Sequence, residues 1–352
     1  MRLSLLSLLI IMMHQTMHAQ EWLPASSGEV IHHQYFSLSY MEAHEQAEWV
    51  AYELTAAKAQ GPNKRINDYR EDPTIPTGSA LLSDYKGSGF DRGHLMPAAD
   101  AKFDPLAMSE SFYLSNMSPQ RNSFNGGIWN VLENRVRKWA GAKQHLYIVT
   151  GPVLSSFEGK IGQSGVSIPA YFYKALLQIH EGDTSIIAFV LPNQQSSQPL
   201  STFVVSVDSV EKLTGIDMYP FLPDEAEDRL EASTSTNGWF ATAKKKAKNN
   251  EVVRITAEEA EAYIDDKVIV CGKIVATKYL PKSSKQITYL NFSEPYPLTP
   301  FTVVIYGEDR SNFKEEPKVY YQDKEVCIQG RVTSYRGRPQ MRMHHPVQEK
   351  KE

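Results

Sequence analysis

Two periodicities of apolar residues divide the first two thirds of the chain into helices and strands. Apolar residues recur every three or four positions over residues 42–58, which predicts an amphipathic helix. Because strands and helices are mixed here without a regular βαβ period, we expect a mixed α+β domain. Runs of β-branched and aromatic residues closed by turn residues predict strands at residues 146–149, 171–179, 185–190 and 203–207, before a short helix at 209–214.

The last third of the chain is patterned almost wholly as short strands. A short helical segment at residues 257–264 comes first. The clearest strands are residues 268–277, 288–292, 301–306 and 326–335. About five short strands and one short helix within about 90 residues are typical of a small closed barrel. We therefore expect a small all-β domain at the C-terminal end.

A stretch of small and polar residues separates the two patterns. Residues 232–238 have the composition of a linker. The lysine-rich run at 244–250 is either a solvated linker or an arm that binds phosphate. We predict a first domain at residues 20–232, a linker at 233–255 and a C-terminal domain at 256–346. A chain of 352 residues is long enough for two domains that each bury a core.

Composition and charge exclude several classes of protein. A hydrophobic fraction of 41% with 22% charged residues is ordinary for a globular chain, and it excludes collagenous, wholly disordered and polytopic membrane proteins. The 37 Lys+Arg and 41 Asp+Glu give a net charge of -4, which excludes attraction of nucleic acid by overall charge. Any phosphate binding must therefore come from local basic clusters or from a metal.

The first residues have the pattern of an export signal. Arg2 supplies a positive start, an apolar run follows, and a small residue, Ala19, offers a cleavage point. This predicts a signal peptide at residues 1–19 and a secreted or periplasmic protein without a membrane anchor in its mature form. An uncleaved N-terminal anchor is the alternative.

The chain has two cysteines, and both lie in strand-like segments. Cys271 and Cys327 are each surrounded by β-branched residues. Neighbouring strands in an oxidising compartment would permit a disulfide between them. Two buried free thiols are the alternative, and the sequence leaves both open.

Two short blocks carry the candidate chemistry. The first is the tetrapeptide Asp-Arg-Gly-His, which ends at His94. A lone histidine is more often a hydrogen-bonded core or surface residue than a catalytic one, so this block is weak evidence by itself. The second block follows within residues 112–133, where Pro119 interrupts regular structure and a helix is predicted to begin near Asn125, a good capping residue.

The predicted helix has one apolar side and one polar side. Trp129, Leu132 and Val136 recur at positions i, i+3 and i+7, which predicts the face that docks on the core. Asn125 and Glu133 are eight residues apart, a little over two turns, so both project from nearly the same side. A capping residue and a solvent-facing carboxylate are the alternative interpretation of this pair.

Together the two blocks resemble the DNA/RNA non-specific endonucleases, a family of sugar-non-specific nucleases with a ββα-metal (His-Me finger) core. The similarity extends over residues 32–232. It implies that His94 is the general base, with a neutral imidazole near its ordinary pKa of about 6.5. It also implies that Asn125 is the one direct protein ligand of a divalent metal, Mg2+, with Mn2+ or Ca2+ as alternatives. Glu133 would accept hydrogen bonds from water molecules around that metal.

The resemblance assigns the remaining positions of the motif to phosphate binding and support. Arg92 would contact the phosphate, and Arg65 would do so from another segment. Asn116 matches a supporting position near the active centre. Asp91 and Gly93 are expected to be structural, Asp91 through a local hydrogen bond.

The resemblance implies hydrolysis of phosphodiester bonds in DNA and RNA that leaves 5′-phosphates. Indifference to base follows because every inferred contact goes to phosphate or metal. A catalytically inactive nucleic-acid-binding protein of the same fold and a phosphodiesterase acting on small substrates are the two alternatives. No feature of the sequence indicates an oligomeric state.

The C-terminal strands resemble an OB-fold nucleic-acid-binding module. Such barrels bind single strands with aromatic platforms and a basic groove. The alternative places half of the aromatic residues in the core and the arginines on a solvated rim. The candidate strand-binding residues are Tyr289, Phe292, Arg331, Tyr335, Arg336, Arg338 and Arg342.

Overall fold

The computed structural model describes residues 22–180, 183–240 and 252–350. The predicted signal peptide and the lysine-rich run at 244–250 lie outside these residues. Within the described ranges, no helix is both long and apolar enough to cross a membrane.

A seven-stranded sheet is the frame of the N-terminal half. Its strands are β1 (Glu29–His32), β2 (Phe36–Met41), β3 (Gln46–Thr55), β6 (His145–Pro152), β9 (Tyr171–His180), β10 (Asp183–Pro192) and β11 (Val204–Val205). They lie in the order β1-β2-β3-β6-β9-β10-β11, and every neighbouring pair is antiparallel. Two antiparallel hairpins lie outside this sheet: β4 (Asp91–His94) with β5 (Met117–Gln120), and β7 (Phe157–Ile161) with β8 (Val166–Pro169). The strands predicted at 146–149, 171–179 and 185–190 are confirmed.

The amphipathic helix predicted at residues 42–58 is wrong. Most of that segment is β3, and only a 3-10 turn at Lys58–Gln60 is helical. β3 is buried on both faces of the sheet, with Val50 in one core and Trp49 in the other. A strand buried on both sides carries apolar residues without strict alternation, so its pattern also satisfies helical spacing.

Helices cover both faces of the seven-stranded sheet. They are α1 (Leu82–Tyr85), α2 (Pro105–Glu110), α3 (Asn122–Phe124), α4 (Asn130–Lys143), α5 (Val207–Thr214) and α6 (Asp224–Glu231). Leu132 and Val136 of α4 are buried in the core on one face, which confirms the predicted docking side of this helix. Val207 and Val210 of α5 are buried in the core on the opposite face. The N-terminal half is therefore a mixed α+β fold, as predicted.

An eight-stranded sheet forms the C-terminal half. It contains β12 (Arg254–Thr256), β13 (Lys267–Tyr279), β14 (Thr288–Phe292), β15 (Thr302–Ile305), β16 (Glu325–Arg331), β17 (Thr333–Tyr335), β18 (Arg338–Arg342) and β19 (Glu349–Lys350), with one short helix, α7 (Pro317–Tyr320). The first part of β13 pairs with β16 and the rest pairs with β14, across an irregularity between Ile274 and Ala276. Such irregularities bend a strand, and here the sheet curls around its own core.

The C-terminal sheet is curled but open. Its order is β17-β18-β15-β14-β13-β16-β19, with β12 beside β13. Among the described residues, the two ends of this order do not pair with each other. The small closed barrel predicted from the strand pattern is therefore replaced by a curled half-barrel. Cys271 of β13 lies opposite Cys327 of β16, and the two form a disulfide, so the bridged alternative holds.

The two halves contact each other beside α4. Arg135 of α4 forms an ion pair with Glu261, which lies between β12 and β13 of the curled sheet. Gly337, in the turn between β17 and β18, lies against Ile128, and a Cβ at position 337 would be only 2.1 Å from the Cδ1 of Ile128. The C-terminal sheet is thus seated next to the helix that carries the candidate site.

The predicted linker at 233–255 contains packed residues at both ends. Trp239 is buried, and its ring lies edge-on to Trp139 of α4 with 5.2 Å between the ring centroids. The Nε1 of Trp139 donates a hydrogen bond to the carbonyl oxygen of Trp239. At the other end, β12 begins at Arg254. The chain up to residue 240 therefore packs with the N-terminal half, and residues 241–251 lie outside the described ranges.

We predict that Trp139→Ala lowers the free energy of unfolding by about 3–5 kcal/mol, because it removes a large buried side chain together with its contacts to Trp239 and Phe240. Trp139→Phe keeps one aromatic ring but loses part of the indole together with its N–H donor, so we expect a smaller cost of about 1–3 kcal/mol. Denaturant unfolding of both variants tests this. Equal stability of Trp139→Ala and the unmodified chain would show that residues 239–240 are not anchored by α4.

Candidate active site

A cleft of about 1260 Å3 opens beside α4. It is lined by residues from several separate segments of the chain. Five of the residues that the sequence singled out lie on its walls: Arg65, Arg92, His94, Asn125 and Glu133. The two blocks of the sequence therefore line one cleft, so their side chains are placed to act on the same bound molecule.

The β4–β5 hairpin sets the position of His94. His94 ends β4 and pairs in register with Met117 of β5. Just beyond it, the side-chain amide of Asn116 accepts a hydrogen bond from the backbone N of Met96 at 2.9 Å and donates to the carbonyl oxygens of Met96 and Ser111. Asn116 is fully buried and, unlike His94, is not among the residues on the cleft walls. Its contacts are those of a residue that supports the backbone of the site.

The imidazole of His94 is enclosed by aromatic rings. It is 7% exposed, and the ring of Phe112 lies perpendicular to it with 4.9 Å between the centroids. Burial, together with the positive charges of Arg65 and Arg92, lowers the pKa of His94 to about 3. The imidazole is therefore neutral at physiological pH. The sequence predicted a neutral ring correctly, but the pKa lies far below the ordinary value that was expected.

A tyrosine holds the two arginines of the cleft. The guanidinium carbon of Arg92 lies 4.2 Å from the ring centroid of Tyr69, and Arg65 donates a hydrogen bond from Nη2 to the hydroxyl of the same tyrosine at 3.1 Å. Arg65 also lies over the ring of Phe112, at 5.1 Å. Aromatic faces attract guanidinium groups while their N–H donors stay available for a ligand.

Asn125 is positioned by an irregular helical turn. The helical turns begin at Asn122, close to the predicted start near Asn125, but Asn125 is not their capping residue, because α3 precedes it and a π-helical turn, Asn125–Trp129, joins α3 to α4. Such turns recur at functional sites because they redirect a side chain. The Nδ2 of Asn125 donates to Asp91 Oδ2 at 2.9 Å. Asp91 therefore makes the local hydrogen bond that was expected of it, and the amide oxygen of Asn125 remains as its acceptor atom.

Glu133 lies in a group of charged residues between α4 and the sheet. Arg137, one turn further along α4, forms an ion pair with Asp100, and Asp100 accepts a hydrogen bond from the hydroxyl of Tyr52 at 2.8 Å. Burial raises the pKa of Glu133 to about 7, although the positive charges of Arg137 and Lys174 oppose the rise. Glu133 is thus a carboxyl group whose charge depends on its buried neighbours.

Lys174 is one of those neighbours and is completely buried. It belongs to β9, on the same face as Phe172 and Leu176, and therefore enters the core beneath α4. Its Nζ lies 5.1 Å from the ring centroid of Trp129 and has no hydrogen-bond partner among the described residues. Burial lowers the pKa of Lys174 to about 8, opposed by the charge of Glu133.

The C-terminal half forms part of the cleft wall. Glu258, Glu294, Pro297 and Leu298 line the same cleft as His94. The carboxylate of Glu294 lies 3.3 Å from the Nζ of Lys138, on α4. The cleft is therefore shared between the two halves of the chain, a feature for which the sequence contained no signal that we recognised.

The C-terminal candidate residues are separate from the cleft walls. Tyr335 is 54% exposed and lies next to Arg336, whose guanidinium is 5.6 Å from its ring centroid. Phe292 is fully buried, so its predicted role as a binding platform is wrong. The remaining candidates make local contacts: Arg331 with the carbonyl of Asp265, Arg338 with that of Pro297, and Arg342 with Glu308 and Asp309, while Tyr289 is half-buried.

Three residues of the site were missed by the sequence analysis. Arg137 had a usable signal, because it follows Glu133 by one helical turn and shares its side of α4. Tyr69 and Lys174 had no such signal. One is a single tyrosine in a loop and the other a lysine within an apolar strand, and only the fold shows which residues they contact.

Comparison with known proteins identifies the family to which this chain is similar. A family model described as DNA/RNA non-specific endonuclease matches residues 14–225. Nuclease C1 of Cunninghamella echinulata var. echinulata is 34% identical over 60% of this chain and 87% of that protein. Endonuclease G, mitochondrial, of Homo sapiens is 35% identical over 49% of this chain and 63% of that protein. A crystal structure of an EndoG/EndoGI complex matches with a TM-score of 0.52 and 30% identity, over 56% of this chain and 87% of that one.

The secreted or periplasmic location predicted from the sequence is contradicted by these relatives. Endonuclease G of Homo sapiens and of Caenorhabditis elegans and Nuclease EXOG of Homo sapiens are all named as mitochondrial. A positive start and a short apolar run are typical of a targeting segment, but they do not specify the compartment. The family itself does not depend on that segment. On the match to residues 14–225 and the relatives above, the chain belongs to the DNA/RNA non-specific endonuclease family.

Proposed function

We propose that this chain is an endonuclease that hydrolyses phosphodiester bonds in DNA and RNA without sequence specificity. The observation that carries the proposal is the single cleft that His94, Arg65, Arg92, Asn125 and Glu133 line together. It contains a neutral base, two fixed cations for a phosphate and oxygen atoms for a metal. Hydrolysis of a phosphodiester requires these three kinds of group.

Arg65 and Arg92 would bind the scissile phosphate. Both guanidinium groups are held on Tyr69, so little side-chain freedom is lost when a phosphate binds. Their charge would stabilise the additional negative charge of the pentacoordinate state. Because these contacts go to phosphate, neither the base nor the sugar is selected.

His94 would accept the proton of the attacking water. Its Nε2 is enclosed and has no hydrogen-bond partner among the described residues, so we assign proton acceptance to the other ring nitrogen, Nδ1. Burial keeps the ring neutral, so one ring nitrogen has a free lone pair that can accept a proton. Cleavage with departure of the 3′ oxygen leaves the 5′-phosphate on the product.

The donor set of the cleft fits a hard divalent cation. The amide nitrogen of Asn125 donates a hydrogen bond to Asp91, so its amide oxygen is the atom that would bind a metal. Glu133 adds a carboxylate to the walls of the same cleft. Oxygen donors of this kind suit Mg2+, and also Mn2+ or Ca2+. Bound there, the ion would supply Lewis-acid neutralisation of the leaving oxygen. Glu133 would accept hydrogen bonds from water in the cleft, with Arg137 and Lys174 favouring its charged form.

We further propose that β4, β5 and α4 form a ββα-metal core. The domain bounds would then be residues 20–232 for the nuclease and 256–346 for an OB-like domain, with 233–255 between them. Support for an OB-like role comes from the curled sheet and from the exposed pair Tyr335 and Arg336, which can stack on and neutralise a single strand.

Two alternatives follow from the same observations. An inactive nucleic-acid-binding protein of this fold would be expected to lack some of the catalytic side chains. Here the proposed base, the two arginines and the oxygen atoms for a metal all line the cleft. A phosphodiesterase for small substrates would suit a more enclosed pocket than a cleft of about 1260 Å3 shared between two halves of the chain. Digestion of long DNA separates both alternatives from the proposal.

We predict that His94→Ala lowers the rate of plasmid and RNA cleavage by about 10²- to 10⁴-fold, because proton transfer in the transition state is lost. Affinity for DNA, measured by gel shift, should stay close to that of the unmodified chain, because Arg65 and Arg92 remain. His32→Ala, on an exposed position of β1, serves as the matched control and should cleave normally. Retained cleavage by His94→Ala would refute the base assignment.

A second prediction concerns stability at mildly acidic pH. His94 stays neutral when folded but takes a proton below about pH 6.5 when unfolded, so the unfolded state binds more protons there. Stability is therefore lost as pH falls from about 6.5 towards 3. His94→Asn should lose about 1–2 kcal/mol less between pH 7 and pH 5 than the unmodified chain, measured by denaturant unfolding at both values. Trp139→Phe, which is destabilised without a change in titration, controls for general loss of stability. Parallel losses in His94→Asn and the unmodified chain would contradict the buried neutral imidazole.

A third prediction tests the C-terminal sheet. The double variant Tyr335→Ala with Arg336→Ala should raise the Kd for a single-stranded oligonucleotide by about tenfold, since a stacked base and a cation are removed. Cleavage of a short duplex should be unchanged, because neither residue lines the cleft. Tyr171→Ala, which removes an exposed tyrosine of the N-terminal half, is the control. An unchanged binding curve would remove the proposed strand-binding role.

A further inference from the structure

A group of carboxylates lies on the face of the sheet opposite the cleft. Asp208 and Glu211 are one turn apart on α5, and Glu231 ends α6. One carboxylate oxygen from each of the three lies within 4.8 Å of the others. α5 packs into the core on the far side of the sheet from α4, so this group is separate from the proposed active site.

Glu231 makes this group unusual. Its side chain is only 4% exposed, and its Oε1 has no hydrogen-bond partner among the described residues. The charges of Asp217 and Glu227 also act on it. A buried carboxylate without a partner costs several kcal/mol, and like charges around it add to that cost. Among the ion pairs of the described residues, none involves Asp208, Glu211 or Glu231.

The helices hold these carboxylates in fixed positions. Glu211 accepts a hydrogen bond from the backbone N of Met218 at 2.8 Å, which leaves its second oxygen for another partner. Val210, beside Glu211, and Leu230, beside Glu231, are both buried in the same core. Asp208 is exposed and can turn towards solvent, whereas Glu231 is buried beside Leu230, so its carboxylate has no such escape.

We infer that Asp208, Glu211 and Glu231 bind a structural Ca2+ ion. Two oxygens that each lie about 2.4 Å from one ion are at most about 4.8 Å apart, and the three carboxylate oxygens all lie within that limit of one another. Ca2+ accepts carboxylates in flexible geometry and takes additional water, and the exposed side of the group at Asp208 is open to it. The ion joins the end of α6 to α5 and stabilises the folded chain. This inference does not depend on the proposed nuclease activity.

The test is thermal unfolding of the full chain with EDTA and with CaCl2. The Asn125→Ala background is used so that the proposed ligand in the cleft does not contribute. Ca2+ should raise the Tm by about 3–6 °C at about 100 times its Kd. Equilibrium dialysis should find one Ca2+ per chain in this background.

Glu231→Gln supplies the decisive comparison. It keeps the shape of the side chain but removes its charge, so the Tm in EDTA should rise while the response to Ca2+ disappears. Glu225→Gln, an exposed position on α6, should keep the full response. A protonated Glu231 without any ion would give no Ca2+ response in either variant, and that result would overturn the inference. A response to Mg2+ but not to Ca2+, or a response retained in Glu231→Gln, would overturn it as well.

Discussion

The chemistry of the cleft depends on keeping one imidazole uncharged beside two positive charges. Enclosure by Phe112 and the nearby guanidinium groups of Arg65 and Arg92 both disfavour protonation of His94, so the ring that we propose as the base is neutral over the whole physiological pH range. Tyr69 contacts both arginines despite their mutual repulsion: Arg92 lies over its ring, and Arg65 donates a hydrogen bond to its hydroxyl. The same two cations that hold the base neutral are those that a phosphate would neutralise.

Other parts of the fold hold these residues in position. The alternation of β9 brings Lys174 into the core under α4, where its charge opposes the rise in the pKa of Glu133. Hydrogen bonds from Asn116 fix the backbone next to His94. The curled C-terminal sheet closes one side of the cleft with Glu294 and Leu298. Both halves of the chain therefore line the cleft. Its basic residues come from the N-terminal half, and the C-terminal half adds the carboxylates of Glu258 and Glu294.

Periodicity and local motifs predicted much of this molecule. The docking side of α4 and the strands β6, β9 and β10 were predicted correctly, because each rests on residues near one another in the chain. The two sequence blocks do line one cleft, but this was expected from the family resemblance and not from local pattern. β3 was mistaken for a helix because a strand buried on both faces has no polar side. The pKa of His94 and the roles of Tyr69 and Lys174 arise from distant segments that only the fold brings together. The location of the protein was also predicted wrongly, since an N-terminal pattern does not specify one destination.

We propose that His94 activates a water molecule in this cleft to attack phosphorus. The most direct test is analysis of the end groups produced from a DNA and from an RNA of matched sequence, incubated with the chain and Mg2+. We expect 5′-phosphate and 3′-hydroxyl ends on the fragments of both. Intact substrates, or RNA fragments that end in a 2′,3′-cyclic phosphate, would contradict it, because the latter arise when the 2′-hydroxyl is the nucleophile in place of water.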